Sequence, residues 1–192
     1  MALQESEARF QIMTDNVPGM IYQYRLYVDG KISFTYVSSG SWQIYNLKPE
    51  QIEENATLAF ATVHPDDISG LQRSIATSAA TQQAWQHQWR QVMGDRVKWL
   101  QGASKPERQA NGDIVWDGLV MDVTELKQTQ QDRDRFFNLS LDLLCIAGFD
   151  GYFKRLNPAW SNVLGYSSDE ILAKPLIELV HPEDLEITVA DL

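Results

Sequence analysis

The sequence has a single cysteine, Cys145, among its 192 residues. That excludes an internal disulfide and any zinc site built from several thiolates, and it fits a reducing cytoplasm. Cations are also scarce: 16 Lys and Arg face 26 Asp and Glu, for a formal net charge of −10. Nucleic-acid binding draws on clustered Lys and Arg, so this balance argues against it. The six tryptophans lack the cationic track of a base-stacking surface. Apolar runs are short, with 143–149 typical of the longest, well below the roughly 18 residues of a membrane span. The N-terminus has no basic stretch followed by an apolar one, so no secretory signal is expected. Catalytic signatures are missing too: there is no Gly-x-Ser-x-Gly elbow, phosphate loop, His-Glu-x-x-His or paired His/Cys cluster. The adjacent acids Glu53-Glu54 and Asp66-Asp67 point in different directions and do not flank one substrate atom.

What is present is an ordinary globular composition, 44% hydrophobic and 22% charged, long enough for one domain and a fraction. It also contains an internal repeat. Residues 34–52 align without gaps on 153–171, pairing Val37 with Leu156, Ile44 with Val163, Leu47 with Tyr166 and Ile52 with Ile171. Asp29-Gly30 precedes the first copy as Asp150-Gly151 lies ahead of the second. His64-Pro65-Asp66-Asp67 follows the one and His181-Pro182-Glu183-Asp184 the other, and Arg9-Phe10 and Arg135-Phe136 open them. Two homologous modules are expected. The first continues for nearly sixty residues past His64, the second only from Pro182 to Leu192, so the chain is expected to stop inside its second module as a fragment of a longer protein.

Periodicity supplies the elements. Residues 5–15, with Phe10, Ile12 and Met13 among polar residues, predict a short helix ending before Pro18-Gly19. Segments 20–28 and 32–37 flank Asp29-Gly30 as a hairpin. Two short helices are predicted within 39–55, the second opened by Pro49. Ile68, Leu71 and Ile75 lie on one face of a longer helix, for which Asp66 or Asp67 serves as the cap. Segments 85–93, 96–104 and 114–123 read as strands separated by Gly94-Asp95 and Asn111-Gly112-Asp113. The fold class is α+β: a five-stranded antiparallel sheet with helices inserted after strand 2, then a connector helix and a partial second module. The last strand is apolar on both alternations, so both sheet faces are expected to be covered, the outer one by the N-terminal helix or a second chain.

At this point the chain resembles a tandem of PAS domains, the sensory modules of bacterial signalling proteins. The residues that carry the resemblance are Asp150-Gly151, Asn157-Pro158-Ala159-Trp160, Leu164-Gly165-Tyr166 and Glu170-Ile171 in the second copy, with His-Pro-x-Asp in both. Asp122-Val123-Thr124-Glu125 looks like the Asp-x-Thr signature at the junction of a PAS sheet and its exit helix. Trp99 and Trp116-Asp117-Gly118 are similar to the final strands of a subgroup of these domains. The first copy departs from the pattern, with Ser38-Ser39-Gly40 in place of Asn-Pro-Ala and a longer first hairpin. The division expected is an N-terminal helix over 1–18, a complete PAS-like domain over 19–124, a connecting helix over 125–140 and a partial second PAS-like domain over 141–192. The resemblance implies a cytoplasmic sensory and dimerisation region, a homodimer, a small-molecule ligand and a downstream effector in the same chain, foremost a histidine kinase and otherwise a diguanylate cyclase. Asp122, Thr124 and Glu125 would form the signal junction. A ligand-free dimerisation platform is the alternative, and a small-molecule enzyme the least supported reading.

Several residues need weighing against blander roles. Val123, Leu126, Gln130, Arg133, Phe137 and Ser140 step by threes and fours, as a two-stranded coiled coil requires, but half of them are polar. The connector is therefore either a marginal seam suited to signal relay or a solvated spacer. The resemblance favours the relay. His64 and His181 precede helix-starting prolines and read as structural. Trp85, His87 and Trp89 alternate onto one strand face. An imidazole there could ligate haem, but haem-binding relatives use a helical histidine and the long helix has none. Cys145 reads as a small buried apolar side chain. Flavin photosensors of the related type need a reactive cysteine on an inserted helix in an Asn-Cys-Arg-Phe context, which neither copy has. The cofactor is left unnamed, with haem and a covalent flavin adduct disfavoured. Trp85, Trp89, Trp99 and Trp116 are expected in the core, a pocket or an interface.

Overall fold

The computed structural model describes residues 9, 14 and 16–186. The predicted helix over 5–15 therefore lies outside the described residues, apart from Arg9 and Thr14. The chain divides into two compact units, Met1–Lys127 and Gln128–Leu192.

The first unit is built on strands β1 (Met20–Leu26), β2 (Ile32–Val37), β3 (Trp85–Met93), β4 (Arg96–Arg108) and β5 (Ile114–Asp122). They form one antiparallel sheet in the order β2-β1-β5-β4-β3, so β1 sits between β2 and β5. Inserted between β2 and β3 are helix α1 (Ser41–Tyr45), α2 (Pro49–Glu54), a 3₁₀ turn (Ala56–Ala59) and α3 (Pro65–Thr81). Alternation decides which face is buried. Met20, Tyr22 and Tyr24 of β1, Trp85 and Trp89 of β3, Leu100 of β4, and Ile114, Trp116 and Val120 of β5 join Ile44, Ile52 and Leu71 of the helices in a single apolar core.

Strand β4 continues past the expected end at residue 104 to Arg108 and passes through Pro106. Proline lacks the ladder donor and reads as a strand breaker. Here the backbone of Trp99 faces β5, accepting the Val123 N–H, so even-numbered residues of β4 direct their N–H toward β3. β3 ends at the Trp85–Ser104 pair, and the N–H that Pro106 lacks would have had no strand to meet. The free edge of β3 is covered by the chain before α3: His64 N–H donates to the Arg90 carbonyl and Val92 N–H to that of Thr62.

Helix α3 is capped differently from expectation. The cap is His64, whose Nδ1 accepts the Asp66 N–H at 3.3 Å. Asp67 turns instead to β3, where its two carboxylate oxygens take Nε and Nη2 of Arg90 at 2.9 and 2.7 Å, and it also receives the Arg90 N–H. Close approach explains the Gly40 that departs from the family pattern: a Cβ there would stand 1.9 Å from the Gly19 carbonyl oxygen.

Helix α4 (Thr124–Leu139) follows β5 directly. In the second unit, β6 (Cys145–Ala147) and β7 (Phe153–Leu156) pair as a two-stranded antiparallel hairpin. After it come α5 (Ala159–Leu164), α6 (Ser168–Leu172) and 3₁₀ turns at Leu176–Leu179 and Pro182–Asp184. Among its described residues, Phe153, Asn157, Ala159 and Ile171 are buried. Cys145, expected to be buried, is exposed, because β6 has neither a second neighbour strand nor a covering face among the described residues. No helix among the described residues is long and apolar enough to cross a membrane.

Candidate functional site

The alternation of β1 places two tyrosines, Tyr22 and Tyr24, on the inner face of the sheet, beside Trp116 of β5 and Phe34 of β2. Their rings pack edge-on or tilted, with centroids 5.3 to 5.7 Å apart. Trp85 and Trp89 reach the same space from β3, Tyr45 from α1, and Leu71 and Ile75 from α3. Together they enclose a cavity of about 40 Å³. That is room for a water or two but not for a porphyrin or flavin ring without repacking of the walls.

Each indole N–H around this space already has a partner. Trp85 Nε1 donates to Ser74 Oγ at 2.9 Å, Trp116 Nε1 to Ser78 Oγ at 3.1 Å, and Trp89 Nε1 to Oε1 of the fully buried Gln91 at 3.0 Å. The indoles therefore turn apolar ring faces toward the cavity and keep their N–H groups on α3 and β3. Burial pushes the Tyr22 and Tyr24 hydroxyls up to about 12 and that of Tyr45 higher still, so all three stay neutral. Among the described residues no charged side chain lines the space.

Tyr24, Phe60, Leu71 and Ile75 form a common wall between this cavity and an open apolar groove of about 380 Å³. Leu26 and Ile32, at the hairpin, and Ile68 and Gln72 of α3 line its outer side. Two glycines let the rings in: a Cβ at Gly102 would stand 2.4 Å from the Trp85 indole, and one at Gly118 would stand 2.7 Å from the Tyr22 ring.

The four tryptophans singled out from the sequence separate. Trp85, Trp89 and Trp116 line the cavity. Trp99 pairs with Arg90 across β3 and β4 and lies at the base of the exit helix, with Lys127 Nζ 5.3 Å and the Arg90 guanidinium 5.8 Å from its ring centroid. Its parity puts it on the opposite face of the sheet from the odd-numbered cavity residues of β3. His87 stacks on Trp85 and lies against Gly70 of α3, lining neither space; burial, opposed by nearby Asp67, lowers its pKa. Among the described residues no three or more His, Cys, Asp or Glu gather as a metal would require.

The junction residues do come together. Asp122, the last residue of β5, receives on Oδ1 both the Thr124 N–H at 3.0 Å and the Thr124 hydroxyl. Thr124 Oγ1 in turn accepts the Trp99 N–H at 2.9 Å, and Val123 N–H donates to the Trp99 carbonyl. Burial acts to raise the Asp122 carboxyl, but the bonds from Thr124 and the nearby Lys98 outweigh it and hold the carboxyl below its usual range. Glu125 stands exposed in the first turn of α4, where an acid favours the helix dipole. Of the seam positions, Leu126 is 57% exposed and Phe137 lies under the Arg155 guanidinium at 4.4 Å, while Phe136 and Leu139 beside them are 73% and 76% exposed.

Sequence reasoning missed the tyrosines, Phe34 and Phe60, although the Tyr-x-Tyr spacing in β1 was a visible sign of two large side chains on one face. It also missed Lys98, whose place depends on strand register.

Comparison with known proteins agrees with this architecture. The chain is 25% identical over 134 residues to the uncharacterized protein y4lL of Sinorhizobium fredii, covering 64% of this chain and 16% of that protein. Its fold is similar to that of an RNA-binding light-oxygen-voltage receptor, with a TM-score of 0.50, 16% identity, and coverage of 69% of this chain and 37% of that one. A sensory box histidine kinase/response regulator from Burkholderia thailandensis gives a TM-score of 0.48 at 18% identity, covering 66% of this chain and 92% of that one. Residues 34–120 and 153–192 both match the sequence profile of the PAS fold. With the sheet order, the inserted helices and the repeated module, that match places the chain in the PAS fold family.

Proposed function

We propose that residues 19–124 are a cytoplasmic sensor that takes up a small, neutral, largely apolar molecule between the sheet and α3 and relays its binding through α4 to an effector in the same protein. A histidine kinase is the first choice of effector and a diguanylate cyclase the second. One observation carries this reading: strand β5 supplies Trp116 and Val120 to the cavity wall and ends, two residues later, in the Asp122–Thr124 junction. A ligand that parts the cavity walls therefore bears on the strand that starts the exit helix. The ligand class follows from the lining, which offers ring faces and neutral hydroxyls but no charge. A ligand moves such an equilibrium only by its differential affinity for the two states, so the cavity must be larger in the bound state than the present space.

A homodimer through α4 is part of the proposal, supported by the exposed Phe136 and Leu139. A dimerisation platform without ligand is the second reading, favoured by how little free space the cavity has. An enzyme on this fold is the least supported. The test is an absorbance scan and native mass spectrum of freshly purified protein. Mass lost on denaturation, or visible absorbance, supports a bound ligand. A clean dimer of bare polypeptide supports the platform.

A further inference from the structure

We infer that Lys98 is a positioning residue that couples α1, a wall of the cavity, to the Asp122–Thr124 junction. This rests on the cavity being the sensory site, and it adds a second route beside β5. Lys98 lies on the inner face of β4, like Leu100, and Leu100 is paired with Asp122 across the sheet. The register sets Lys98 diagonally beside Asp122, within reach of a long side chain. Its Nζ donates to the Gln43 carbonyl at 2.7 Å and stands 3.3 Å from Asp122 Oδ2. The two oxygens of Asp122 thus divide their work, Oδ1 to Thr124 and Oδ2 to Lys98.

Helix α1 has only five residues, too few to be held by its own hydrogen bonds. Its position comes from what it packs on and from what satisfies its last carbonyls. Ile44 and Tyr45 are buried, and Tyr45 lines the cavity. On the other side, the Gln43 carbonyl is met by Lys98, a cation placed where the helix dipole favours one. A molecule that displaces Tyr45 moves α1, and the Gln43 carbonyl moves with it. Lys98 then has to lengthen one of its two contacts. Because one of them is to the carboxylate that orders Thr124, the first turn of α4 feels the shift.

The test is hydrogen exchange of the full chain, read as the rate at the Ile44 and Asn46 amides divided by that at the Tyr24 and Trp116 amides in the β1–β5 ladder. Asp122 makes no hydrogen bond or ion pair to α1 itself, so Asp122→Asn removes none from that helix. The expected result is a rise of about threefold in the α1 ratio, the scale of a partly exposed ion pair. Lys98→Met should give the same rise, and the double variant should rise no further. An α1 ratio unchanged in Asp122→Asn overturns the coupling, and so does an additive double variant. A rise shared equally by the ladder amides leaves the ratio unchanged and counts against it as well. No ligand enters the experiment, so its failure is separate from failure of the ligand reading, which native mass decides.

Discussion

The two modules open alike and end differently. In the first, the Ile21 N–H donates to Ser38 Oγ at 2.9 Å while the Ser38 N–H returns to the Ile21 carbonyl. In the second, the Leu144 N–H donates to Asn157 Oδ1 at 3.1 Å while the Asn157 N–H returns to the Leu144 carbonyl. The longer amide does more: Asn157 Nδ2 also donates to the carbonyls of Ser140 and Asp142. Both histidines cap the following turn through Nδ1, His64 to Asp66 and His181 to Glu183. Yet among the described residues β1 is flanked by two strands and β6 by one. Tyr22 and Tyr24 are buried beneath the inserted helices, whereas Ile146 of β6 is 51% exposed and Leu141, just ahead of the hairpin, 92%. Local motifs build the entrance of the fold, and the three strands β3, β4 and β5 close its core.

The comparison can be broken first at the core. Trp116→Ala removes a ring that is 2% exposed at the centre of five strands, and should cost about 3–5 kcal/mol in denaturant unfolding of the first module. Trp160→Ala, against Phe153 in the two-stranded module, should cost clearly less; equal losses would mean that the second core is as tightly closed. Next comes the matched polar position. Asn157→Ala leaves three backbone groups without their partner and should cost about 1–3 kcal/mol, against about 1 kcal/mol for Ser38→Ala, which leaves one. The reverse order would show that the two side chains do not play equivalent parts.

Acid should act through the first module's Asp67. Hydrogen bonds from Arg90, opposed by partial burial, hold its carboxyl down to about 2. A carboxyl depressed in the folded state stabilises above its unfolded value and loses that contribution as the pH falls toward the folded one. Stability should therefore drop between about pH 4 and pH 2, and Asp67→Asn should flatten that part of the profile. A native-like acid slope in the variant would assign the loss to other carboxylates. The smallest structural effect is expected of Asp122→Ala, whose side chain is one-third exposed. It should leave the first module folded, with an unchanged far-ultraviolet spectrum, while uncoupling effector output in the full-length protein. Unchanged output would remove Asp122 from the relay.

Much of this architecture was legible from local pattern. The repeat, the hairpin at Asp29-Gly30 and the alternation of β5 all act within a few residues, and the sheet with its inserted helices followed from their order. What escaped depends on tertiary partners. The extension of β4 through Pro106 is tolerated only because β3 has already ended. His64 rather than an aspartate caps α3 because Arg90, distant in sequence, claims Asp67. Cys145 is exposed because β6 has one neighbouring strand among the described residues, a matter of tertiary partners and not of local pattern. At the candidate site, Asp122 and Thr124 were readable as a motif. Lys98 was not, since only the register of β4 against β5 brings it to Asp122.

The most direct test of the account is a titration of the full chain with indole, a neutral planar probe, followed by two-dimensional NMR of backbone amides. The account predicts saturable shifts at cavity residues such as Tyr24, Tyr45 and Trp116, accompanied by shifts at Lys98, Asp122 and Thr124. Shifts confined to the exposed apolar residues of the second module, or cavity shifts that leave the junction still, would contradict it.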